Sequence, residues 1–161
     1  MPRRKRKPGS RAYNTLVSPR ELYDHDFFDW TRCNAALLRS GRFQDADIAH
    51  IAEEIEDMGK SQQNALQGRL EVLLVHLLKW QCQPGRRTAS WQVTIDTQRD
   101  RISDLLEQMP SLRGSVQLNL PKAYFRAVRR ASLETGLPRT TFPSNCPYSA
   151  AEILDESYLP E

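Results

Sequence analysis

The 161 residues, 39% of them hydrophobic and 27% charged, make one domain's worth of chain, long enough to bury a core and too rich in apolar residues for a wholly disordered protein. The formal charge of +3 conceals an asymmetry: Arg3, Arg4, Lys5, Arg6, Lys7 and Arg11 carry six positive charges within the first seventeen residues, leaving 17 basic against 20 acidic residues. Purely apolar runs such as Val72–Val75 fall far below the ~20 residues of a membrane helix, so no membrane-spanning helix is expected. The basic start is followed by no apolar stretch of signal-peptide length. Cys33, Cys82 and Cys146 are scattered and odd in number, so reduced thiols in a cytoplasm are expected rather than a disulfide framework.

Residues 1–17 hold the charge run and Pro8-Gly9-Ser10 with little to pack, and are expected to be a disordered tail. Ser18-Pro19 reads as a helix start, with Ser as N-cap and Pro in the first turn. One helix is expected from there to Ser40, where Gly41 stops it. At 100° per residue Tyr23, Phe27, Trp30, Cys33, Leu37 and Leu38 share a face, Asp26 falls in the same sector, and His25 points away.

Asp45 or Asp47 opens a second helix with Ile48, Ile51, Ala52, Ile55 and Met58 as its apolar stripe and Glu56 at the border. His50, Glu53 and Glu54 lie farther from the stripe, and His50 is expected to face water. Leu66, Leu70, Leu73 and Leu77 keep the same register across Gly59, which favours one long helix to the stop at Pro84-Gly85. Between Arg69 and Gln81, Val72, Val75 and Leu78 fill most of the remaining circumference. A helix apolar nearly all round is a buried central helix. His76 and Arg69 lie within it and will need polar partners where water is scarce.

Ser90 is placed as the cap of a third helix, with Trp91, Ile95, Ile102, Leu105, Leu106 and Met109 as its stripe and Pro110 at its end. Ser111 can cap a fourth, interrupted by a kink or a fresh start at Leu120-Pro121. Tyr124, Ala127, Val128 and Ala131 form its face, and Gly136 with Pro138 closes it. Residues 137–148 should be extended, and the capping-box spacing of Ser149 and Glu152 starts a short last helix to about Ser157. No sustained strand alternation and no internal repeat are present. The expectation is all-α: a single bundle domain over 18–161, of four long helices and a short C-terminal one.

Several ordered segments then carry a resemblance. They are Tyr23-x-x-Asp26-Phe27-x-x-Trp30, Leu37-Leu38-Arg39-x-Gly41-Arg42-Phe43, Glu53-Glu54-Ile55-Glu56-x-Met58-Gly59 and His76-Leu77-Leu78-Lys79-Trp80. Gln83-Pro84-x-x-Arg87-x-x-Ser90-Trp91, Thr141-Phe142-Pro143 and Cys146-Pro147-Tyr148 complete the series. Over about residues 20–161 the chain resembles the bacterial domain-of-unknown-function 29 family, DUF29. The resemblance implies an all-helical fold with no assigned activity. It adds weight to Asp26, Glu53, Glu54, Glu56, His76, Lys79, Arg87, Ser90 and Trp91. Pro121 departs from the pattern of that helix in the family.

The chemistry worth weighing is His76 with Asp26, Glu56 and Arg87, since a buried imidazole beside carboxylates can serve acid–base chemistry or metal ligation. The plainer reading is a structural polar network that fixes helix register. On one straight helix Glu56 and His76 would be ~30 Å apart and unable to share a site. No His-x-x-x-His or Glu-x-x-His motif occurs, so no metal and no cofactor is expected. Arg87, Ser90, Lys79 and Trp91 are the binding candidates: Arg86-Arg87 at a helix start can hold an anion, or Arg87 can pair with Glu56 or Asp26. Trp80 and Trp91 read as core. Cys146 lies in a loop with no basic neighbour in sequence to activate its thiol.

Arg3 to Lys7 can hold phosphates in a salt-dependent, sequence-blind manner, or simply aid solubility. Arg126, Arg129 and Arg130 add a small second patch that a solvated helix face also explains. Three functions stay open: a helical interaction module, homodimeric or with another protein partner; a hydrolase-like or metal-binding protein using His76; and a nucleic-acid accessory protein using the basic tail. Whether the chain is an enzyme is left undecided.

Overall fold

Polar side chains at the N-termini decide where several of the helices begin. In the computed structural model, which describes residues 18–161, α1 (Pro19–His25) begins at Ser18, whose hydroxyl accepts from the Glu21 amide while Glu21 accepts from the Ser18 amide. The expected disordered tail over 1–17 lies outside the described residues. The single first helix is corrected: α2 (Phe27–Arg39) is separate, and the break is Asp26. Its backbone leaves the helical region (φ −151°, ψ 81°), its amide closes α1 on the Leu22 carbonyl, and its carboxylate accepts from the Asp29 amide to start α2. An Asp that satisfies a free amide of the next turn offsets the hydrogen bonds lost at the break.

A 3₁₀ turn at Phe43–Asp45 leads into α3 (Ile48–Cys82), 35 residues that run through Gly59 without a break. A lone glycine in a helix costs only about 1 kcal/mol relative to alanine, which the neighbouring turns absorb. The chain groups into two compact units that divide inside α3, one ending at Met58 and one running from Gly59 to Glu161.

In the first unit Trp30, Asn34 and Asp47 are buried, and Tyr23, Phe27 and Trp30 meet ring to ring at 5.1–5.9 Å. The stripe at the start of α3 is not a covered face. Ile48 is exposed, Ile55 retains 64% of its accessible surface and Met58 69%.

In the second unit the α3 segment Leu70 to Leu78 is wrapped as its composition requires. Leu70, Leu73, Leu74, Val75, Leu77 and Leu78 have no accessible surface. Around them α4 (Ala89–Gln108) brings Ile95, Ile102, Leu105 and Leu106 to the same cluster. α5 (Arg113–Thr135) adds Val116, Leu120 and the small row Ala123, Ala127, Ala131. Each fully buried leucine contributes on the order of 2 kcal/mol.

Three local expectations are corrected here. Thr88, not Ser90, caps α4: its hydroxyl accepts from the Trp91 amide, and Ser90 sits in the first turn. A 3₁₀ turn, Pro110–Leu112, runs straight into α5, so Ser111 caps nothing. Pro121 lies inside α5, which does not restart there. Proline removes one amide, that which would bond Gln117, and Gln117 is exposed to water that can replace it. Gly136, at φ 74°, closes α5 in the left-handed conformation that glycine adopts without strain.

The connection after α5 is extended apart from a 3₁₀ turn at Arg139–Thr141. The Ser149–Glu152 capping box then opens α6 (Ala150–Leu154), shorter than expected because the Asp155 carboxylate accepts from the Ser157 amide and turns the chain. α6 lies against α4 and α5. Arg99, an arginine on the apolar face of α4 and 3% exposed, holds this end of the chain. It donates to the carbonyls of Ile153 (2.9 Å), Glu156 (3.3 Å) and Tyr158 (2.6 Å). Prediction: Arg99→Met leaves those carbonyls without their donor, costs about 2–4 kcal/mol in urea unfolding, and makes residues 149–161 sensitive to limited proteolysis. Wild-type resistance to the protease would refute this anchoring role.

Candidate functional site

His76 is half-buried on α3, and its Nδ1 lies 2.9 Å from the Val72 carbonyl one turn back. A carbonyl only accepts, so Nδ1 carries the proton and Nε2 is the basic nitrogen. Burial lowers the His76 pKa, and the charges of Lys79 and Arg130 lower it further, against opposing effects of the Val72 carbonyl and Glu134. One turn along, Lys79 donates to Glu134 of α5 at 2.9 Å, and its ammonium stands 4.7 Å from the centre of the Trp91 ring. Arg130 donates to the other Glu134 oxygen at 2.9 Å. Burial works to raise the Glu134 pKa, but the two cations prevail and it stays low. The fold therefore brings His76, Lys79 and Trp91 together with two residues that were not singled out as a pair, Arg130 and Glu134. Only their i, i+4 spacing on α5 hinted at an ion pair.

Arg87 pairs with neither Glu56 nor Asp26. Its Nε donates to the Trp80 carbonyl at 2.9 Å, its terminal nitrogen reaches the Pro160 carbonyl at 3.5 Å, and its guanidinium lies 5.1 Å from the Trp80 ring centre. It satisfies a free carbonyl at the C-terminus of α3 and holds the chain end, and both actions favour a cation there. Trp80 and Trp91 are half-buried, each with a cation over one ring face.

The other carboxylates sit elsewhere in the chain. Asp26 is an exposed helix cap. Glu56 stands twenty residues before His76 in the chain and belongs to the first unit. Glu54 accepts from the Tyr23 hydroxyl at 2.7 Å, which pushes the tyrosine pKa up to about 12. The first unit has its own polar centre at Asp47, which accepts from Trp30 Nε1 (3.2 Å) and from His50 Nδ1 (2.6 Å) while its amide donates to Asn34. Burial alone would raise the Asp47 pKa; the hydrogen bonds from His50 and Trp30 leave it lowered. His50 does not face open water as expected: its ring stacks on Tyr23 at 3.9 Å. His25 is exposed.

One concave feature stands out in the second unit, a groove of about 890 Å³ between α5 and residues 139–146. Tyr124, Phe125 and Val128 form one wall; Phe142, Pro143 and Cys146 form the other. The Tyr124 hydroxyl donates to the Pro143 carbonyl at 2.8 Å and sets the spacing of the walls. Phe125 leaves 71% of its surface open. Arg139 is the one charged residue in the lining, which holds no carboxylate. Burial pushes the Cys146 thiol up from its ordinary value and its Sγ is bonded to the Tyr148 carbonyl, so it is not an activated thiolate.

Among the described residues no three His, Cys, Asp or Glu side chains are grouped to hold an ion, and no helix is long and apolar enough to cross a membrane. The family described as "Domain of unknown function DUF29" matches residues 22–159. No curated protein and no solved structure matches the chain.

Two predictions come from these polar groups. Because the folded state disfavours the charged His76 ring, its unfolded form takes up the proton more readily. Stability is then full above the ordinary histidine value of 6.5 and falls as pH drops below it. Thermal melts of His76→Gln across that range should show a flatter profile than wild type; an unchanged slope would count against it. Asp47→Asn, which removes the charge that holds His50 and Trp30, should lower stability by about 1–3 kcal/mol in urea titrations.

Proposed function

The chain belongs to the DUF29 family, and we propose that it is a helical protein-interaction module. The single observation that carries this reading is the groove beside α5, where an exposed aromatic and two apolar walls meet with a cation and no acid in the lining. A mostly apolar concavity with a few polar groups at its edge is the usual form of a binding site. The groove suits one or two apolar anchors of a partner segment that also carries negative charge, which Arg139 would meet.

The polar residues near His76 support a structural role for that cluster. Glu134, the carboxylate that bears on His76, is already shared by Lys79 and Arg130, and His76 spends its donor on a carbonyl of its own helix. The Val72 carbonyl orients the ring, but among the described residues no three His, Cys, Asp or Glu side chains are grouped for His76 to join as a ligand set. The three free cysteines, none of them paired, support a reducing compartment.

A displayed peptide library tests the reading directly. Selection on the full chain should enrich acidic sequences with an aromatic or aliphatic anchor, and the enriched peptides should lose at least about tenfold in affinity for Phe125→Glu. Peptides that bind wild type and variant equally, or no enrichment at all, would remove the groove as an interaction site.

A further inference from the structure

The groove does not stand alone on its helix. At 100° per residue Leu118, Pro121, Phe125 and Arg129 share one sector of α5, with Lys122 and Leu133 at its margin. Leu118, Phe125 and Leu133 are all exposed, although each is of a type that a soluble helix usually covers. No side-chain hydrogen bond and no ion pair is made by Lys122, Arg126 or Arg129 on α5 or by Arg139 at the groove among the described residues. The face is thus apolar and positively charged, and its own unit leaves it open.

The complement to that face is written into the same sequence. Residues 18–58 hold ten acidic and four basic residues, whereas residues 59–161 hold ten acidic and thirteen basic. The acidic stretch is also where six large apolar side chains are exposed, Phe28 at 70% and Phe27, Phe43, Ile48, Ile55 and Met58 with it. Ile48, Ile55 and Met58 repeat with the spacing of a packing face, and Glu54 and Glu56 flank it.

Resting on the interaction-module reading, we infer that the occupant of the groove and of the exposed α5 face is a second copy of this chain, which presents its acidic, apolar residues 18–58. Such a contact joins two different surfaces, so one contact alone would leave the other pair of surfaces open. Reciprocal exchange about a two-fold axis satisfies both and closes the assembly as a dimer. Two such contacts are also what a stable interface of about 1,200–2,000 Å² requires, since one groove alone is too small. Opposite net charge on the two surfaces makes the association steeply dependent on salt.

Sedimentation equilibrium on the full chain is the test. Wild type should be dimeric at micromolar concentration in low salt and should dissociate as sodium chloride is raised. Phe125→Glu and the pair Arg126→Glu/Arg129→Glu should each weaken the dimer by more than about tenfold, with unchanged circular dichroism because these positions are exposed. The pair Asp24→Lys/Glu56→Lys should do the same from the other surface. Mixing the two charge-reversed variants should then restore a heterodimer, since both exchanged contacts again join opposite charges. A wild type that is monomeric at every concentration overturns the inference, as does a dimer indifferent to Phe125→Glu. If the chain is monomeric but the selected acidic peptides still depend on Phe125, the second copy falls and the module reading stands. If neither associates, both fall.

Discussion

The constraint behind the second unit is the all-round apolar surface of α3 between Leu70 and Leu78. One flat neighbour can cover a stripe, but six fully buried side chains spread around the helix need cover from several directions. α4 supplies one wall with large aliphatic residues, and α5 supplies another with its Ala123–Ala127–Ala131 row, small enough to let a helix approach closely. Phe142, Tyr148 and Ile153 from the end of the chain fill what those helices leave open. The polar groups then have restricted choices. His76 turns to its own helix, Tyr148 donates to Gln81, and Arg99 takes three carbonyls of the C-terminal segment.

Charged side chains in this protein mostly finish backbone rather than form isolated pairs. Arg87 ends α3, Arg99 secures the residues after α6, and Asp26 divides α1 from α2. Each satisfies amides or carbonyls that a helix terminus or an irregular segment would leave bare, and around the buried Arg99 a bare group would be costly. The Lys79–Glu134–Arg130 set instead joins α3 to α5 directly, as Asp47 joins His50 and Trp30 in the first unit. Among the binding candidates of the sequence, Lys79 bonds Glu134 and lies over the Trp91 ring, and Arg87 bonds the Trp80 carbonyl. Exposed apolar side chains lie elsewhere, Phe125 at the groove beside α5 and Phe28, Ile55 and Met58 in the first unit.

What the sequence could tell tracks how local the cause is. The capping boxes at Ser18–Glu21 and Ser149–Glu152, the stop at Gly136 and the unbroken register through Gly59 were legible because each depends on residues within a few turns. Asp26 was readable in principle as an N-cap, but its place on an apolar face argued for a continuous helix. Thr88 and Ser90 are both capable caps two residues apart. The 3₁₀ turn at Pro84–Arg86 and the anchoring of Arg87 accompany the choice of Thr88. Arg99 carried a signal that went unread: it continues the spacing of Ile95 and Ile102, and an arginine on an apolar stripe must find acceptors indoors.

By itself, then, the amino-acid order determined an all-helical chain, the helix that must be buried, and most of the helix ends, because periodicity and capping act over a turn or two. Only the tertiary structure decided which polar groups meet: Lys79 with Glu134, 55 residues on, and Arg99 with Tyr158, 59 residues on. It also decided which apolar faces stay open, leaving Ile55, Met58 and Phe125 exposed while Leu66 and Leu77 of the same helical character are covered. The reason is physical: helical spacing states that a face is apolar, but which face is covered depends on contacts between residues far apart in the chain.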